Sequence, residues 1–497
     1  MTVRAENTRV FCFIKDKTLG IFGSDIARER ARTLTERTMT TDVLIRSPHI
    51  QVVHGDDGQA VIWNSLFGHP MAVNETAVEF LDSFTTPTTI AGDRLSEDEK
   101  NIIAELRRCY FLVPADLDER GVLAAEMQQR EVAINSGSQI EFLELIMSES
   151  CNFRCTYCIH FNNLETSDRI KNPQKFMTVD RGREVIDSYL AILRKHGKTV
   201  ATINFGGGEP LMVWGRIRDL MAYCVDQHGD EFELRFLLNT NASLITPAVA
   251  SLLKGYGVQV ATSLDGLANG NDRVRLTKSG RGTFNRIVRG FDNLDAAGYP
   301  VDGFAVTVTE ANFGDLDESI IDWATSRGMS EVRIDIDVID MVDIRLEDIV
   351  EKLMRIRRYA NERGVDVPGF WARPAENLSM PTLEQAVAFC GAVRGNSMCV
   401  SPSGNIYGCG YSTTQLGTLS QIQSFTDRDS AYSRFVIDHQ TGVMEMCKGC
   451  MIEGQCAGGC HITQEFAQST QTAKTTRMCD FYRMMTAAIL REQLREA

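Results

Sequence analysis

The chain has 497 residues, 43% of them hydrophobic and 24% charged, and its formal net charge is −14. This length predicts two or three domains, and the acidic balance argues against nucleic acid as the main partner, because phosphate binding needs surplus Lys and Arg. No apolar stretch reaches the length of a membrane span and the first residues lack a signal-peptide core, so we expect a cytoplasmic protein without a membrane partner. Fourteen cysteines, many at short spacings, indicate metal ligands rather than disulfides.

Residues 1–135 contain no pattern of metal ligands. The predicted elements are strands at 43–53, 60–66 and 110–113 and helices at 75–84 and 96–109. Pro48 marks an edge strand or a break in the first strand, and Asn74 is a predicted N-cap. This pattern resembles the small winged-helix domain that recognises leader peptides of ribosomally made, post-translationally modified peptides, where the leader adds a strand to a sheet edge. The alternative is a structural extension that caps the following domain.

Strands and helices alternate from 138 to 345, which predicts an α/β fold with a parallel sheet and right-handed crossovers. The predicted strands are 140–147, 199–205, 233–239, 258–263, 300–308 and 330–338, and the predicted helices are 179–195, 214–228, 246–255, 283–297 and 315–326. In such folds the reactive residues lie at the carboxyl ends of the strands.

Three cysteines with the spacing Cys151-x3-Cys155-x2-Cys158 follow the first of these strands. Their thiolates can hold three irons of a [4Fe–4S] cube and leave the fourth iron open. A zinc site with His160 as the fourth ligand is the alternative. The segment CNFRCTYC resembles the signature of radical S-adenosylmethionine (SAM) enzymes. There SAM chelates the open iron and is split into methionine and a 5′-deoxyadenosyl radical.

The second strand runs into Gly206-Gly207-Gly208-Glu209-Pro210. Glycines let a backbone approach a ligand, and a carboxylate can accept from an ammonium group. Gly207 to Pro210 match the GGEP element that grips the amino group of SAM in the radical SAM family. The resemblance also implies a partial (β/α)6 TIM-type barrel, with Tyr157 near the adenine. The alternatives are a plain strand-end loop and an aromatic side chain that packs against the cluster loop.

The fourth strand ends in Ser263-Leu264-Asp265-Gly266, and Arg275 follows. The segment resembles the SLDG stretch of one branch of the family, where the matching serine and arginine contact SAM. A hydroxyl and a guanidinium also suit ribose hydroxyls and a carboxylate. The alternatives are a strand-end cap for Ser263 and a surface charge at a helix start for Arg275.

A bridge at 346–389, with a helix at 346–362, leads to a cysteine-rich domain at 390–485, and 486–497 is the end of a C-terminal helix. The eight cysteines of this domain are Cys390, Cys399, Cys409, Cys447, Cys450, Cys456, Cys460 and Cys479. Their spacing resembles the iron–sulfur SPASM extension of radical SAM peptide-modifying enzymes, and two zinc ions in zinc ribbons are the alternative.

In members with two auxiliary clusters the ligands interleave, which implies three [4Fe–4S] clusters in this protein. The first auxiliary set is then Cys390, Cys399, Cys409 and Cys460. The second is Cys447, Cys450, Cys456 and Cys479. Some members lack the counterpart of Cys399, so its presence predicts a fully ligated first cluster. The leftover Cys12, Cys109 and Cys224 are predicted to be packed thiols.

The resemblance implies hydrogen abstraction from a precursor peptide with a leader, formation of a C–C, C–S or C–O crosslink, and electron uptake by the auxiliary clusters. An external flavodoxin- or ferredoxin-like donor is expected. The alternatives are a radical SAM dehydrogenase of a small molecule and a non-enzymatic iron–sulfur electron carrier.

Sulfatase-maturing members carry an acidic base directly after the cysteine that matches Cys409, where this chain has Gly410-Tyr411, which disfavours that activity. The remaining candidates for a base are Tyr411, Asp335, Asp337 and Glu310, each with a solvated or structural role as the alternative.

Overall fold

The computed structural model describes residues 10–12, 43–56, 58–91, 95–159, 174–337, 343–383, 387–470 and 472–496. The strands are β1 Val10–Cys12, β2 Val43–Arg46, β3 Ile50–His54, β4 Gln59–Asn64, β5 Gly68–Asn74, β6 Thr88–Thr89, β7 Leu112–Pro114, β8 Phe142–Ser148, β9 Val200–Gly207, β10 Glu233–Asn239, β11 Gln259–Ala261, β12 Gly303–Val308, β13 Glu331–Ile336, β14 Ser397–Val400, β15 Asn405–Tyr407 and β16 Gly417–Thr418.

The α-helices are α1 Glu75–Asp82, α2 Glu97–Arg108, α3 Glu119–Ser136, α4 Val179–Lys195, α5 Trp214–His228, α6 Pro247–Gly255, α7 Ala268–Val274, α8 Phe284–Ala296, α9 Glu310–Phe313, α10 Ser319–Ser326, α11 Leu346–Asn361, α12 Arg373–Leu378, α13 Gly391–Arg394, α14 Ala431–Asp438, α15 Glu453–Cys456, α16 His461–Thr470 and α17 Thr472–Glu496. Across the described ranges, none of these helices is both long and apolar enough to cross a membrane.

The N-terminal region forms two small antiparallel sheets, with strand orders β1-β5-β4-β3 and β6-β2-β7. Pro48 lies between β2 and β3, so the predicted strand at 43–53 is broken there as expected. Asn74 caps α1, because its Oδ1 accepts from the Ala77 amide at 3.0 Å. β5 and α3 were not predicted, and the Gly-His-Pro start of β5 has little strand preference.

Six parallel strands, β8 to β13, follow in chain order. β8 to β11 are neighbours in one sheet, and β12 pairs with β13. The two parts meet where the Ala305 amide donates to the Thr262 carbonyl oxygen and the Leu264 amide donates to the Ala305 carbonyl oxygen, both at 2.9 Å. β11 is shorter than the predicted 258–263. The predicted helix at 315–326 begins later, as α10, and the short helix α9 before it was not predicted.

The C-terminal region adds strands to this sheet, which the sequence did not predict. β14 pairs in parallel with β8, from Ser397 opposite Phe142 to Val400 opposite Leu145. β15 and β16 continue the sheet antiparallel, which makes it mixed. The outer side of β8 packs on the helices through buried apolar side chains. The other side, here called the inner side, carries the residues of the candidate site.

Candidate active site

The loop after β8 carries Cys151, Cys155 and Cys158. Burial, with a smaller contribution from Cys158, raises the pKa of Cys151 to about 11 and that of Cys155 to about 12. The three sulfurs therefore share one small region in which free thiolates are unfavourable. Iron would remove this cost because it binds the thiolate form. His160, the fourth ligand in the zinc alternative, lies outside the described residues.

The glycine turn after β9 packs directly against this loop. The Gly208 amide donates to the Ser148 carbonyl oxygen at 2.7 Å. A Cβ atom on Gly207 would lie 2.4 Å from the same oxygen, and one on Gly208 would lie 2.5 Å from the Ser150 carbonyl oxygen. Gly207 also has a φ of +111°, which residues with side chains rarely adopt. Both positions need glycine, so the turn lies at contact distance from the cluster loop and fits the predicted SAM site.

Glu209 is fully buried, and its carboxylate accepts three hydrogen bonds within the protein. The donors are the Leu211 amide at 3.0 Å, the Thr240 hydroxyl at 2.7 Å and the Asn241 amide at 2.9 Å. Burial raises the pKa of Glu209 to about 7, and these three donors oppose the shift. A carboxylate offers about four acceptor positions, so these three donors leave room for an ammonium group. Glu209 thereby ties the glycine turn to the end of β10.

Asn241 is a site residue that the sequence analysis did not single out. Its Nδ2 donates to Asn152 Oδ1 at 2.9 Å and lies 3.8 Å from the sulfur of Cys151. Asn152 in turn donates to the Ser243 hydroxyl at 2.9 Å. The polar run at 239–241, at the carboxyl end of β10, is the signal that could have revealed it, because barrel strands carry site residues at their carboxyl ends.

Tyr157, Asp265 and Arg275 form a buried polar cluster beside Cys155. The Tyr157 hydroxyl donates to Asp265 Oδ2 at 2.5 Å, Arg275 Nη2 donates to Oδ1 at 3.3 Å, and Arg275 Nε lies 2.8 Å from Oδ2. The carboxylate also accepts from the Thr307 amide at 2.8 Å. Burial would lower the pKa of Arg275, but Asp265, Tyr157 and Cys155 together outweigh burial, and the pKa is raised. The guanidinium is therefore a fixed positive charge next to the cluster loop.

Two of the predicted SAM contacts are oriented by this cluster. Arg275 is 7% exposed, so the alternative of a surface charge is wrong. Its guanidinium carbon lies 5.7 Å from the centroid of the Tyr157 ring. Ser263 lies half-buried just beyond β11, at a bridge to Ala305. The contacts of these side chains with SAM stay predictions.

Three of the four cysteines predicted for the first auxiliary cluster lie together. Burial, with a smaller contribution from Cys390, raises the pKa of Cys409 strongly and that of Cys460 to about 12. Cys399 lies on β14, buried in a small apolar cluster on the inner side. His461 Nε2 lies 3.6 Å from the Cys409 sulfur, and burial lowers the pKa of His461 to about 4, so its ring is neutral.

The second predicted set is also gathered in space. Burial raises the pKa of Cys456 strongly, and Cys479, Cys447 and Cys450 raise it further. Cys456 and Cys460 are close in sequence but have different cysteine neighbours. The cysteines that raise the pKa of Cys456 belong to the second set, whereas Cys390, which raises the pKa of Cys460, belongs to the first. This separation agrees with the interleaved ligand pattern, and ligation itself stays a prediction.

Within the described ranges, no three His, Cys, Asp or Glu side chains lie close enough to hold a single metal ion. A [4Fe–4S] cube takes one thiolate at each iron, so its ligands surround a larger space. Cys109 and Cys224 are buried away from both sets, as packed thiols should be. The side chain of Cys12 is outside the described residues.

The four base candidates differ in their surroundings. Asp335 pairs with Arg333 at 2.6 Å and accepts from the Phe370 amide at 2.5 Å. Glu310 accepts from the Asp343 amide at 2.7 Å, which indicates a structural role. Asp337 is buried just beyond β13.

Tyr411 is the base candidate with the closest link to the cysteines. Burial raises its pKa, and Glu144, Cys409 and Cys158 raise it further, although 56% of the side chain is exposed. Tyr411 is therefore surrounded by protein but open to solvent, and we call the space beside it, near Cys158 of the radical loop and Cys409 of the first auxiliary set, the recess.

Residues 145–322 match the family model described as the radical SAM superfamily. This segment begins in β8 and contains the three-cysteine loop, the glycine turn and Arg275. The chain carries a radical SAM domain. It is therefore an enzyme of the radical SAM class, and the electron-carrier alternative is set aside.

Two relatives and one solved structure illustrate the similarity. Radical SAM cyclopropyl synthase TigE of Paramaledivibacter caminithermalis is 22% identical over 90% of this chain and 96% of its own. Mycofactocin maturase MftC of Mycolicibacterium smegmatis is 33% identical over 35% of this chain and 38% of its own. The structure of native anSMEcpe with bound AdoMet superimposes with a TM-score of 0.55 over 72% of this chain and 99% of its own, at 15% identity, which shows the fold.

Proposed function

We propose that the protein is a radical SAM peptide maturase that oxidises a ribosomally made precursor peptide and leaves a C–C, C–S or C–O crosslink. The observation that carries this proposal is the recess at Tyr411, which is influenced by Cys158 of the radical loop and by Cys409 of the first auxiliary set. A peptide side chain in this recess would meet both a hydrogen-abstracting group and an electron acceptor.

Two of the known proteins support a peptide as the substrate. One relative is named a mycofactocin maturase. anSMEcpe, which shares the fold, has also been solved with AdoMet and a bound Cp18Cys peptide. The half-open recess beside Tyr411 agrees with a substrate that enters from solvent as a chain.

SAM and three [4Fe–4S] clusters are the cofactors of this proposal. Cys151, Cys155 and Cys158 would hold the SAM-binding cluster, which when bound supplies the electron that splits SAM into methionine and a 5′-deoxyadenosyl radical. Glu209 would accept from the amino group of SAM, and Arg275 would pair with its carboxylate. The two auxiliary sets would take up the electron that the substrate loses, and a flavodoxin- or ferredoxin-like protein would supply electrons.

The N-terminal sheets would bind the leader of the precursor peptide. Among the described strands, β3 is at one edge of its sheet and β6 is at one edge of the other. An edge strand has unpaired backbone groups that an extended peptide can join. The contacts of this region with the second auxiliary set would keep a bound leader attached to the catalytic domain.

Anaerobic co-expression with short peptides encoded beside the gene, read by intact mass, tests the function. We expect the peptide to lose pairs of hydrogen atoms with the wild type. Cys151→Ala should abolish both the mass change and SAM cleavage while the auxiliary clusters stay. Cys224→Ala, which changes a buried thiol outside the predicted ligand sets, is the matched control and should leave the product intact. An unchanged peptide mass with SAM still cleaved would refute crosslinking of these peptides and favour a small-molecule substrate.

A further inference from the structure

Glu144 is the one charged residue in β8, and it lies on the inner side of the sheet. Its neighbours Leu143 and Leu145 are fully buried in the core beneath the helices, so the strand alternation turns Glu144 the other way. In the sheet register it lies between Asn204 on β9 and Cys399 on β14. A half-buried carboxylate in the middle of a sheet is costly, which argues for a function.

Two glycines make room for the Glu144 carboxylate. The Gly410 amide donates to Glu144 Oε2 at 3.0 Å. A Cβ atom would lie 2.7 Å from Oε1 if placed on Gly206 and 2.6 Å if placed on Gly410. Gly206 directly precedes Gly207 of the SAM turn, and Gly410 directly follows Cys409. The carboxylate is therefore wedged between the predicted SAM site and the first auxiliary set.

The charge of the Glu144 carboxylate influences the pKa values of Cys409 and Tyr411, two residues at the recess. After burial, its carboxylate is the largest cause that raises the pKa of Cys409 and of Tyr411. Cys158 of the radical loop also raises the pKa of Tyr411. The Glu144 carboxylate is thus close to both Cys409 and Tyr411.

We propose that Glu144 accepts the proton that the substrate loses during its oxidation, and that Gly410 is a positioning residue for this carboxylate. The inference rests on the proposed function and deepens it. The amide of Gly410, the residue directly after Cys409, binds this carboxylate, which comes from another strand.

The proposed step balances in atoms and electrons. A substrate carbon would give one hydrogen atom to the 5′-deoxyadenosyl radical that bound SAM would supply. As the new bond forms, Glu144 Oε1 takes a second hydrogen from the substrate as a proton. The remaining electron would go to the one-electron acceptor that Cys390, Cys399, Cys409 and Cys460 would hold. The substrate loses two hydrogen atoms in total, and Glu144 returns its proton to solvent at the recess.

The test compares Glu144→Gln with Glu141→Gln in the holoenzyme. Glu141 lies just before β8 on the surface, beside Lys198, and is the matched control. In Glu144→Gln we expect the ratio of oxidised peptide to 5′-deoxyadenosine to fall about 100-fold, the typical contribution of general base catalysis. Deuterium from a labelled substrate should still reach 5′-deoxyadenosine. The midpoint potential of the first auxiliary cluster should become less negative, because a negative charge beside Cys409 is removed. Glu141→Gln should change none of these quantities.

Two further variants keep the proposal open to refutation if Glu144→Gln loses iron. Glu144→Asp retains a carboxylate and should recover part of the product per iron. Gly410→Ala should displace Oε1 and lower the ratio as Glu144→Gln does. Equal ratios in wild type, Glu144→Gln and Glu141→Gln overturn the role of Glu144 alone, as does a Glu144→Asp protein no better than Glu144→Gln. If the wild type itself makes no oxidised peptide, the proposed function fails and the role of Glu144 falls with it.

Discussion

The two predicted auxiliary cysteine sets belong to one region of the chain but face different parts of the molecule. The first set is next to the barrel, because β14 pairs with β8 and the Gly410 amide binds Glu144. The second set is next to the N-terminal sheets. There Trp63 Nε1 donates to the Met451 carbonyl oxygen at 2.8 Å, and the Gly454 amide donates to the Ser65 carbonyl oxygen at 2.7 Å.

Charged groups strengthen the contact at the second set. Arg120 at the start of α3 binds Glu453 through two hydrogen bonds of 2.8 and 2.9 Å. The Glu453 carboxylate is fully buried and also accepts from the Gly449 amide at 2.8 Å. Such bidentate, charge-assisted bonds fix geometry. On the other side, Arg483 Nη1 lies 3.6 Å from the sulfur of Cys450.

The difference suggests separate roles for the two sets. Three side chains near the first set can accept or relay protons. They are the carboxylate of Glu144, the phenol of Tyr411 at the open recess and the neutral imidazole of His461. Around the second set are backbone amides and the Arg120–Glu453 ion pair, which hold two regions together. We therefore expect the first set to serve the chemistry and the second to hold the N-terminal sheets against the catalytic domain.

The loss of a cluster is the largest expected effect, and it tests whether the two cysteine sets are separate. Cys460→Ser should lower the iron content by about four atoms per chain, the content of one [4Fe–4S] cluster. Adding Cys409→Ser should remove no further iron, because both residues belong to the first set. Adding Cys456→Ser instead should remove about eight atoms in all. Anaerobic iron and sulfide analysis measures each value, and equal losses in the two double variants would show that the sets are not separate.

A substitution at the contact of the second set should have an intermediate effect. A Cβ atom on Gly454 would lie 2.1 Å from the Leu66 carbonyl oxygen, which is backbone and cannot move aside easily. Gly454→Ala should therefore lower the free energy of unfolding by about 1–3 kcal/mol, as overpacking does. The N-terminal sheets should also become more sensitive to protease.

Gly449→Ala is the matched control for this variant. Gly449 lies five residues before Gly454 at a φ of +80°. A Cβ atom added there would have no neighbouring atom within 4 Å, so only backbone strain of about 1–2 kcal/mol applies. Thermal unfolding under anaerobic conditions compares the two variants. An undisturbed N-terminal region in Gly454→Ala would contradict the proposed docking role.

Much of the barrel could be predicted because its signals are local. The alternation of apolar strands with amphipathic helices predicted β8, β9, β10 and α4 to within a few residues. The pairing of β14 with β8 could not be predicted, because four residues of strand carry no information about a partner some 250 positions earlier. Short strands gain their stability from such distant neighbours.

The site shows the same division. The cysteine spacings and the GGEP turn were visible in the sequence, since each is a pattern of residue types at fixed spacing. Glu144 could also have been found from the sequence, because it is a single acid within the apolar strand Phe-Leu-Glu-Leu-Ile-Met. Its partner Gly410 is far away in the chain, so only the folded sheet reveals the contact. The hydrogen bond from Tyr157 to Asp265 is likewise a product of the fold.

The smallest expected effect concerns Glu119, which stabilises the turn that contacts the second set. Glu119 is buried in the N-terminal domain, where Ser47 and Asn64 donate to its carboxylate at 2.8 and 2.9 Å. Asn64 in turn accepts from the amide of Leu66, the residue whose carbonyl oxygen lies against Gly454. This network therefore holds the turn that docks on the second set.

Burial raises the pKa of Glu119 above its ordinary value of 4.5, and Asn64 and Ser47 oppose the shift. The folded protein therefore binds the proton of the Glu119 carboxyl group more tightly than the unfolded chain does. The stability that this protonated group contributes is fully present below the ordinary pKa and is lost as the pH rises through the raised pKa. Glu119→Gln does not titrate, so its stability relative to wild type should improve slightly between about pH 5 and about pH 8. Anaerobic melting temperatures at both pH values, with the exposed Glu97→Gln as control, test this, and a difference that is constant with pH would contradict it.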